Sequence, residues 1–291
     1  MWYPDPRLNE RGDAVSSHRV LLVDADPAVH ELLGQALQRG DRSIEHVYDG
    51  QEALQLLQTA PPDVIVAGQG KNGFDGLKFL RRAQAIWPGA RVIVTGEPLP
   101  ENVLGAIRRR AYSFFHKPLP GAPLADMVQQ ALDSAAWQDD IRVLSARPEW
   151  ITLELRSKME AAERTIQFQR ELHAGLSQRK REDVASAFRE LLLNAVEHGA
   201  KANPRKRVRV SFLRGGHALM VQIQDPGPGF SLDSLPHAAI SNPDDSPTRH
   251  VEVRAEAGQR PGGFGILMAR SLVDELLYNE RGNAAMFVKY L

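Results

Sequence analysis

The chain has 291 residues, with 36 acidic and 36 basic side chains, nine histidines and no cysteine. That length fits two domains of roughly 100 to 200 residues each; zero net charge argues against a nucleic-acid binder governed by bulk charge, and the missing cysteine excludes disulfides, thiolate metal sites and cysteine nucleophiles. No run approaches the ~18 apolar residues of a membrane span, and Met1-Trp-Tyr-Pro-Asp-Pro-Arg7 has no apolar signal core, so a cytoplasmic protein without membrane contact is expected.

From His18 onward, short apolar runs alternate with amphipathic stretches. Strands are expected over 19–23, 43–48, 63–67, 91–95 and 113–116, and helices over 28–39, 50–59, 75–86, 100–110 and 122–136. Such alternation predicts an α/β domain, a doubly wound five-stranded parallel sheet with helices on both faces. Its landmarks are Asp24, the Asp75-Gly76 pair opening the third helix, Thr95-Gly96 ending the fourth strand and Phe115-His-Lys117-Pro118 ending the fifth. On these residues, 18–138 resembles the flavodoxin-like receiver domain of two-component response regulators.

A receiver carries a phosphoacceptor carboxylate at the end of its third strand and an acidic cluster for Mg2+ at the end of its first. Counting from Pro62-Asp63 to Asp75-Gly76, the acceptor position falls on Gly68, which has no side chain to phosphorylate. Ala25 takes the second acidic position, leaving Asp24 and a displaced Asp26. Thr95 and Lys117, which in the family sense and bind the phosphoryl group, remain. This pattern predicts a pseudo-receiver that meets a partner or positions the rest of the chain; the opposing reading makes Asp63 or Asp75 a substitute acceptor.

The stretch Trp137 to Pro148 has no glycine-rich character and reads as a short connection. A strand (Glu149 to Leu155) and a long polar helix (about 157–175) follow. In Glu190-Leu-Leu-Leu-Asn194-Ala-Val-Glu197-His198-Gly199, Glu190, Asn194 and Glu197 share one helix face, while Phe188, Leu191, Leu192 and Ala195 share the other. The basic run Lys201 to Arg209 alternates across an expected strand; it reads as a solvated hairpin or, more sharply, as a surface for an acidic partner. Val221-Gln-Ile-Gln-Asp225-Pro-Gly227-Pro-Gly229-Phe230 leads a strand into a carboxylate and two glycines, where backbone can approach a ligand closely. Ser231 to Pro261, rich in Pro, Ser, Asn and Asp, reads as a long loop. Gly262-Gly263-Phe264-Gly265 opens a helix whose free N–H groups favour phosphate oxygens, with Met268 where a dinucleotide fingerprint needs its third glycine. Ala285 to Leu291 ends the chain as a strand.

This order of motifs, over 146–291, resembles the GHKL-type (Bergerat) ATP-binding fold, an α/β two-layer sandwich, and within it the anti-sigma-factor serine/threonine kinases. The resemblance implies that Asn194 coordinates Mg2+ and that Asp225 reads adenine, with Gly227 and Gly229 keeping the base pocket clear. It likewise implies that Gly263 and Gly265 hold the phosphates, Arg260 being a weaker candidate, and that 231–261 forms the nucleotide lid. Glu190 would be the general base on the attacking hydroxyl; its other reading is a carboxylate that positions Mg2+ or water. His198 is either part of the site or a histidine compensating the helix dipole. His173 lacks the flanking residues of a phosphoaccepting histidine, which argues against a histidine kinase.

Two functions stay open at this point. One is an ATP- and Mg2+-dependent protein serine/threonine kinase acting on a small antagonist protein, with a sigma factor as a further partner. The other is a nucleotide-gated partner-switching module without significant transfer. Both allow a homodimer and an unnamed partner at the receiver half, and neither calls for direct nucleic-acid contact.

Overall fold

The computed structural model describes residues 18–38, 42–69, 74–134, 136–230 and 264–291. The chain divides into two units, Met1–Ala135 and Ala136–Leu291.

In the first unit, strands β1 (His18–Val23), β2 (Arg42–Val47), β3 (Val64–Gly68), β4 (Val92–Gly96) and β5 (Ser113–His116) form a parallel sheet of order β2-β1-β3-β4-β5. Every residue of β3 and β4 is buried, as continuous Val/Ile runs require when helices cover both faces of a sheet. Helices α1 (Pro27–Leu37) and α5 (Gly121–Asp133) pack together; α2 (Gly50–Thr59), α3 (Gly76–Ile86) and α4 (Pro100–Arg108) form a second series. Aspartates start three of these helices: Asp26 caps α1, Asp49 caps α2 and Asp75 caps α3, each accepting from backbone N–H groups of the first turn. The expected doubly wound α/β architecture is found.

The second unit is built on a six-stranded antiparallel sheet of order β10-β11-β9-β8-β7-β6. Its strands are β6 (Ile141–Ala146), β7 (Trp150–Arg156), β8 (Arg207–Arg214), β9 (Ala218–Gln224), β10 (Glu275–Tyr278) and β11 (Ala284–Tyr290). Helices α6 (Met159–Leu172), α7 (Gln178–Asn194) and α8 (Gly265–Leu272) accompany it, α7 packing against β9 and β11. Strands β7, β8 and β9 alternate buried and exposed residues, so one face of this sheet meets the helices and the other stays open.

One element differs from expectation. The connection expected over 137–148 contains β6, so the second sheet begins at Ile141, ahead of the 146 at which the sequence placed that domain. Only Ile141 and Val143 alternate with polar neighbours there, too short a pattern to signal a strand; pairing with β7 supplies the rest. The helix opened by Gly265 stops at Leu272, and the chain then crosses into β10 beside β11.

His173 closes α6 at 3% exposure, its Nδ1–H donating to the Gln169 carbonyl at 2.8 Å. Burial drives its pKa down from 6.5 to about 4; Arg214 adds to the fall and the bond to Gln169 opposes it. The ring is thus neutral in the folded chain. A base with a depressed pKa stabilises the fold above pH 6.5 and loses that contribution as the pH falls toward 4, because the unfolded chain takes up the proton first. The second unit is expected to lose about 3 kcal/mol across that window from this group, and denaturation midpoints from pH 7 to 4 should flatten in His173→Gln.

Candidate functional site

Helix α7 places its apolar side, Phe188, Leu191, Leu192 and Ala195, in the core and leaves Glu190 and Asn194 half-buried. Past Asn194 the helix widens into a π turn, Ala195–Gly199, of the kind that recurs at functional sites. The Val196 carbonyl, shifted by the wider turn, accepts from Ser157 Oγ at 3.0 Å and from the Ala202 N–H at 2.8 Å. Glu197 and His198 on this turn are exposed.

Gly199 is thereby set against Asp225. A Cβ at 199 would lie 2.2 Å from Asp225 Cγ, and one at 227 would lie 2.5 Å from the Gly199 carbonyl oxygen. Only glycine at both positions allows the carboxylate to seat on the helix end. Asp225 Oδ1 accepts from the Gly227 N–H at 2.7 Å. Its backbone is fixed in both directions by Asn283: Asp225 N–H donates to the Asn283 carbonyl (3.0 Å), and Asn283 Nδ2 donates to the Asp225 carbonyl (3.1 Å). Burial pushes the Asp225 pKa up, while backbone N–H groups, Lys206 and Arg281 hold it back.

Behind Asp225 two turns interlock. Gly229 (φ +82°) and Gly282 (φ +73°) both occupy the left-handed region. A Cβ on Gly229 would fall 1.7 Å from the Arg281 carbonyl oxygen, and one on Gly282 would fall 1.8 Å from that of Phe230. Asn279 Oδ1 accepts from the N–H groups of Asn283 and Ala284, closing the turn that holds Asn283. Ser157, Asn279, Gly282 and Asn283 were not singled out in the sequence. The spacing Asn279-Glu-Arg-Gly282-Asn283 is a turn signature that could have marked the last three.

Gly265, the first residue of α8, lies against the other end of the polar face. A Cβ there would meet Glu190 Oε2 at 2.6 Å and Asn194 Nδ2 at 3.7 Å. Turning the Asn194 amide presents its oxygen at that place instead. The polar face of α7 and its π turn thus run from Gly265 at Glu190 to Asp225 at Gly199, nine residues and roughly 13 Å of helix axis. Gly263, Arg260 and the expected lid 231–261 lie outside the described residues. Among the described residues no group of three or more His, Asp or Glu side chains could hold a metal ion. A single amide oxygen fits a cation that takes one or two protein ligands and the rest from phosphate and water, as Mg2+ does.

In the first unit, Gly68 ends β3, and a Cβ on it would lie 1.9 Å from Asp24 Oδ2. The Asp24 carboxylate therefore fills the space a side chain at 68 would need, and Lys117 Nζ donates to that same oxygen at 2.8 Å. Asp26 is turned away to cap α1, its N–H donating to Asp24 Oδ1. Thr95 is buried with no hydrogen-bond partner for Oγ1 among the described residues. Asp63 precedes β3, at the opposite end from Gly68, and accepts from the Arg19 N–H; Asp75 caps α3. Incubating the full chain with a small phosphodonor is expected to yield no acyl-phosphate by intact mass. A shift mapping to 18–138 would show that another carboxylate accepts.

Comparison with known proteins bears on both units. The response regulator receiver domain family matches residues 20–129, and the histidine kinase-like ATPase domain family matches residues 155–289. The chain is a response regulator receiver domain followed by a histidine kinase-like ATPase domain, an arrangement that fits a signalling protein. The transcriptional regulatory protein GlrR of Escherichia coli is 28% identical over 124 residues, 42% of this chain and 28% of that protein. The regulator DctD of Pseudomonas aeruginosa, of C4-dicarboxylate transport, is 32% identical over 120 residues, 40% of this chain and 25% of that protein. The chain spans less than a third of the length of these relatives. Among solved structures, a CheY-like receiver domain from Methanospirillum hungatei covers 40% of this chain and 95% of its own, at 23% identity and TM-score 0.38. No helix among the described residues is long and apolar enough to cross a membrane.

Proposed function

We propose that the ATPase domain is an ATP- and Mg2+-dependent protein serine/threonine kinase of the anti-sigma-factor type, acting in the cytoplasm. Its substrate would be a small antagonist protein with a serine or threonine acceptor, and a sigma factor a further partner. The observation that carries this reading is the seating of Gly265 on Glu190 and Asn194 at one end of the polar face of α7, with Asp225 on Gly199 at the other.

In this mechanism Asp225 accepts a hydrogen bond from the exocyclic amine of adenine, and Asn283 keeps its backbone from shifting. Gly227 and Gly229 leave the base pocket free of side chains. Gly265, with Gly263, gives backbone N–H groups to the phosphates at the start of α8. Asn194 would supply one oxygen to Mg2+, which would neutralise charge on the phosphates. Glu190, one turn before Asn194, would take the proton from the hydroxyl as its oxygen bonds to the γ-phosphorus and the bond from that phosphorus to the bridging oxygen breaks, releasing ADP.

The receiver is a pseudo-receiver in this account, with the Asp24–Lys117 ion pair closed over Gly68 where a phosphoryl group would be held. Control then enters by protein contact rather than by phosphorylation of this domain.

The metal assignment is tested by calorimetry of ATP binding to Asn194→Ala. Affinity in the presence of Mg2+ is expected to fall about 10-fold or more, ~1.4 kcal/mol, with little change in its absence. Unchanged affinity with Mg2+ would remove Asn194 from the metal site.

A further inference from the structure

The open face of the second sheet is not featureless, and the strand register shows how its side chains are ordered. Trp150, Leu213 and Met220 stand in one row across β7, β8 and β9, which continues into the buried Val288 of β11 and Glu275 of β10. Two residues along, the row is polar on β7 to β9, Thr152, Ser211 and Gln222, with Met286 and Leu277 continuing it on β11 and β10, and two further along it is Arg142, Glu154, Arg209 and Gln224. Arg156 and Arg207 pair in the next row. An apolar strip and an arginine cluster therefore share one face, roughly 13 Å apart at ~3.3 Å per residue.

Both ends have the marks of contact surface rather than of idle exterior. Trp150 is 57% exposed, yet its ring is oriented: Nε1–H donates to Thr152 Oγ1 at 2.9 Å, and that hydroxyl pairs with Ser211 Oγ at 3.1 Å. An exposed, pre-oriented indole is a typical anchor for a partner. At the other end, four guanidiniums meet two carboxylates. Glu154 binds Arg209 at 2.7 Å and Asp139 lies 3.5 Å from Arg156. No carboxylate pairs with Arg142 or Arg207 among the described residues, and Arg207 Nη1 is buried without a hydrogen-bond partner. Burial, then the crowding of Arg142 and Arg156, lowers the Arg207 pKa, while Asp139 and Glu154 oppose the fall and Arg207 Nη2 donates to the Asp139 carbonyl at 2.9 Å. The cluster is thus short of negative charge in a chain whose net charge is zero.

We propose that this open sheet face docks an acidic segment of a partner protein, its apolar residues on the Trp150–Leu213–Met220 row and its carboxylates on Arg142, Arg156 and Arg207. Guanidinium forks match carboxylates in a bidentate way. The carboxylates of Glu154 and Asp139 among the arginines, and the apolar row on the same face, suit a peptide better than a polyphosphate backbone or a lipid headgroup layer. The surface is distinct from the polar face of α7, which lies on the other side of the sheet, so the inference does not depend on the kinase reading.

The test is fluorescence anisotropy of the full chain with a labelled peptide of three leucines, two serines and four glutamates. Controls are the same peptide with glutamine for glutamate, an oligothymidylate of equal charge and phosphatidylglycerol vesicles. The glutamate peptide is expected to bind best, and added salt should weaken it because exposed charges are screened. Arg142→Glu combined with Arg207→Glu should weaken it 10-fold or more, and Trp150→Ser about 5-fold, with unchanged melting temperatures. Since Arg207 is half-buried, Arg142→Glu alone gives the same readout at an exposed position. Equal affinity in the variants, absence of binding, or preference for the oligonucleotide or the vesicles would each overturn the proposal.

Discussion

Replacing Glu190 by Gln is expected to lower phosphoryl transfer on the order of 10²- to 10⁴-fold, the usual contribution of a positioned general base, while ATP affinity stays close to wild type. The separation of effects follows from geometry. Glu190 faces the start of α8, where a Cβ on Gly265 would meet its carboxylate at 2.6 Å, whereas Asp225, the group proposed to read the base, sits at the far end of the same polar face against Gly199. Glutamine keeps the size and polarity of the side chain and removes only its capacity to take a proton. Retained transfer in a single-turnover assay would reduce Glu190 to a residue that positions Mg2+ or water. A matching loss of ATP affinity would point the same way.

Asp225→Asn is expected to weaken ATP binding by about 2 to 3 kcal/mol, roughly 30- to 150-fold in Kd, yet to leave the empty protein as stable as before or more so. The carboxylate is half-buried and its pKa is raised from the usual 3.8, first by desolvation. An acid whose pKa rises on folding favours the folded state below its ordinary pKa and loses that contribution as the pH climbs through its folded value. At pH 7 the ionised Asp225 therefore strains the empty fold. Asparagine relieves this and keeps an oxygen for the Gly227 N–H. In the proposed base pocket it would also turn an amide donor toward the adenine amine, where an acceptor is required. Thermal denaturation without nucleotide and calorimetry with it separate the two effects; a clearly lowered melting temperature at pH 7 would contradict the account of the carboxylate.

The parts of this chain that were legible in its sequence are those where local pattern and tertiary role agree. Buried parallel strands such as Val64–Gly68 and Val92–Gly96 are apolar throughout, and the aspartates before α1, α2 and α3 announce helix starts. The amphipathic face of α7 could be read residue by residue, and the burial of Phe188, Leu191 and Leu192 agrees with it. Motif order further indicated that Asp225 and the glycines lie near one another.

What the sequence concealed depends on contacts between distant segments. Edge strands β6 and β10 are short, and their pairing with β7 and β11 decides their state where local propensity is weak. The π turn at Ala195–Gly199 has no residue signature; it is held by Ser157, nearly forty residues upstream, and by the need to bring Gly199 onto Asp225. Asn283 shares no motif with Asp225 and meets it only because β9 and β11 pair. In the receiver, the substitution at Gly68 was readable as a missing acceptor. The compensating placement of Asp24, whose oxygen takes up the vacated space and pairs with Lys117, was not.

The central claim, that the polar face of α7 performs transfer to a hydroxyl, is tested most directly by recovering proteins bound to the full chain from its native host, supplying ATP and Mg2+, and mapping phosphosites. The account predicts acid-stable phosphoserine or phosphothreonine on a small co-purifying protein, lost with Glu190→Gln. ATP binding without any transfer, or acid-labile phosphate on histidine, would contradict it.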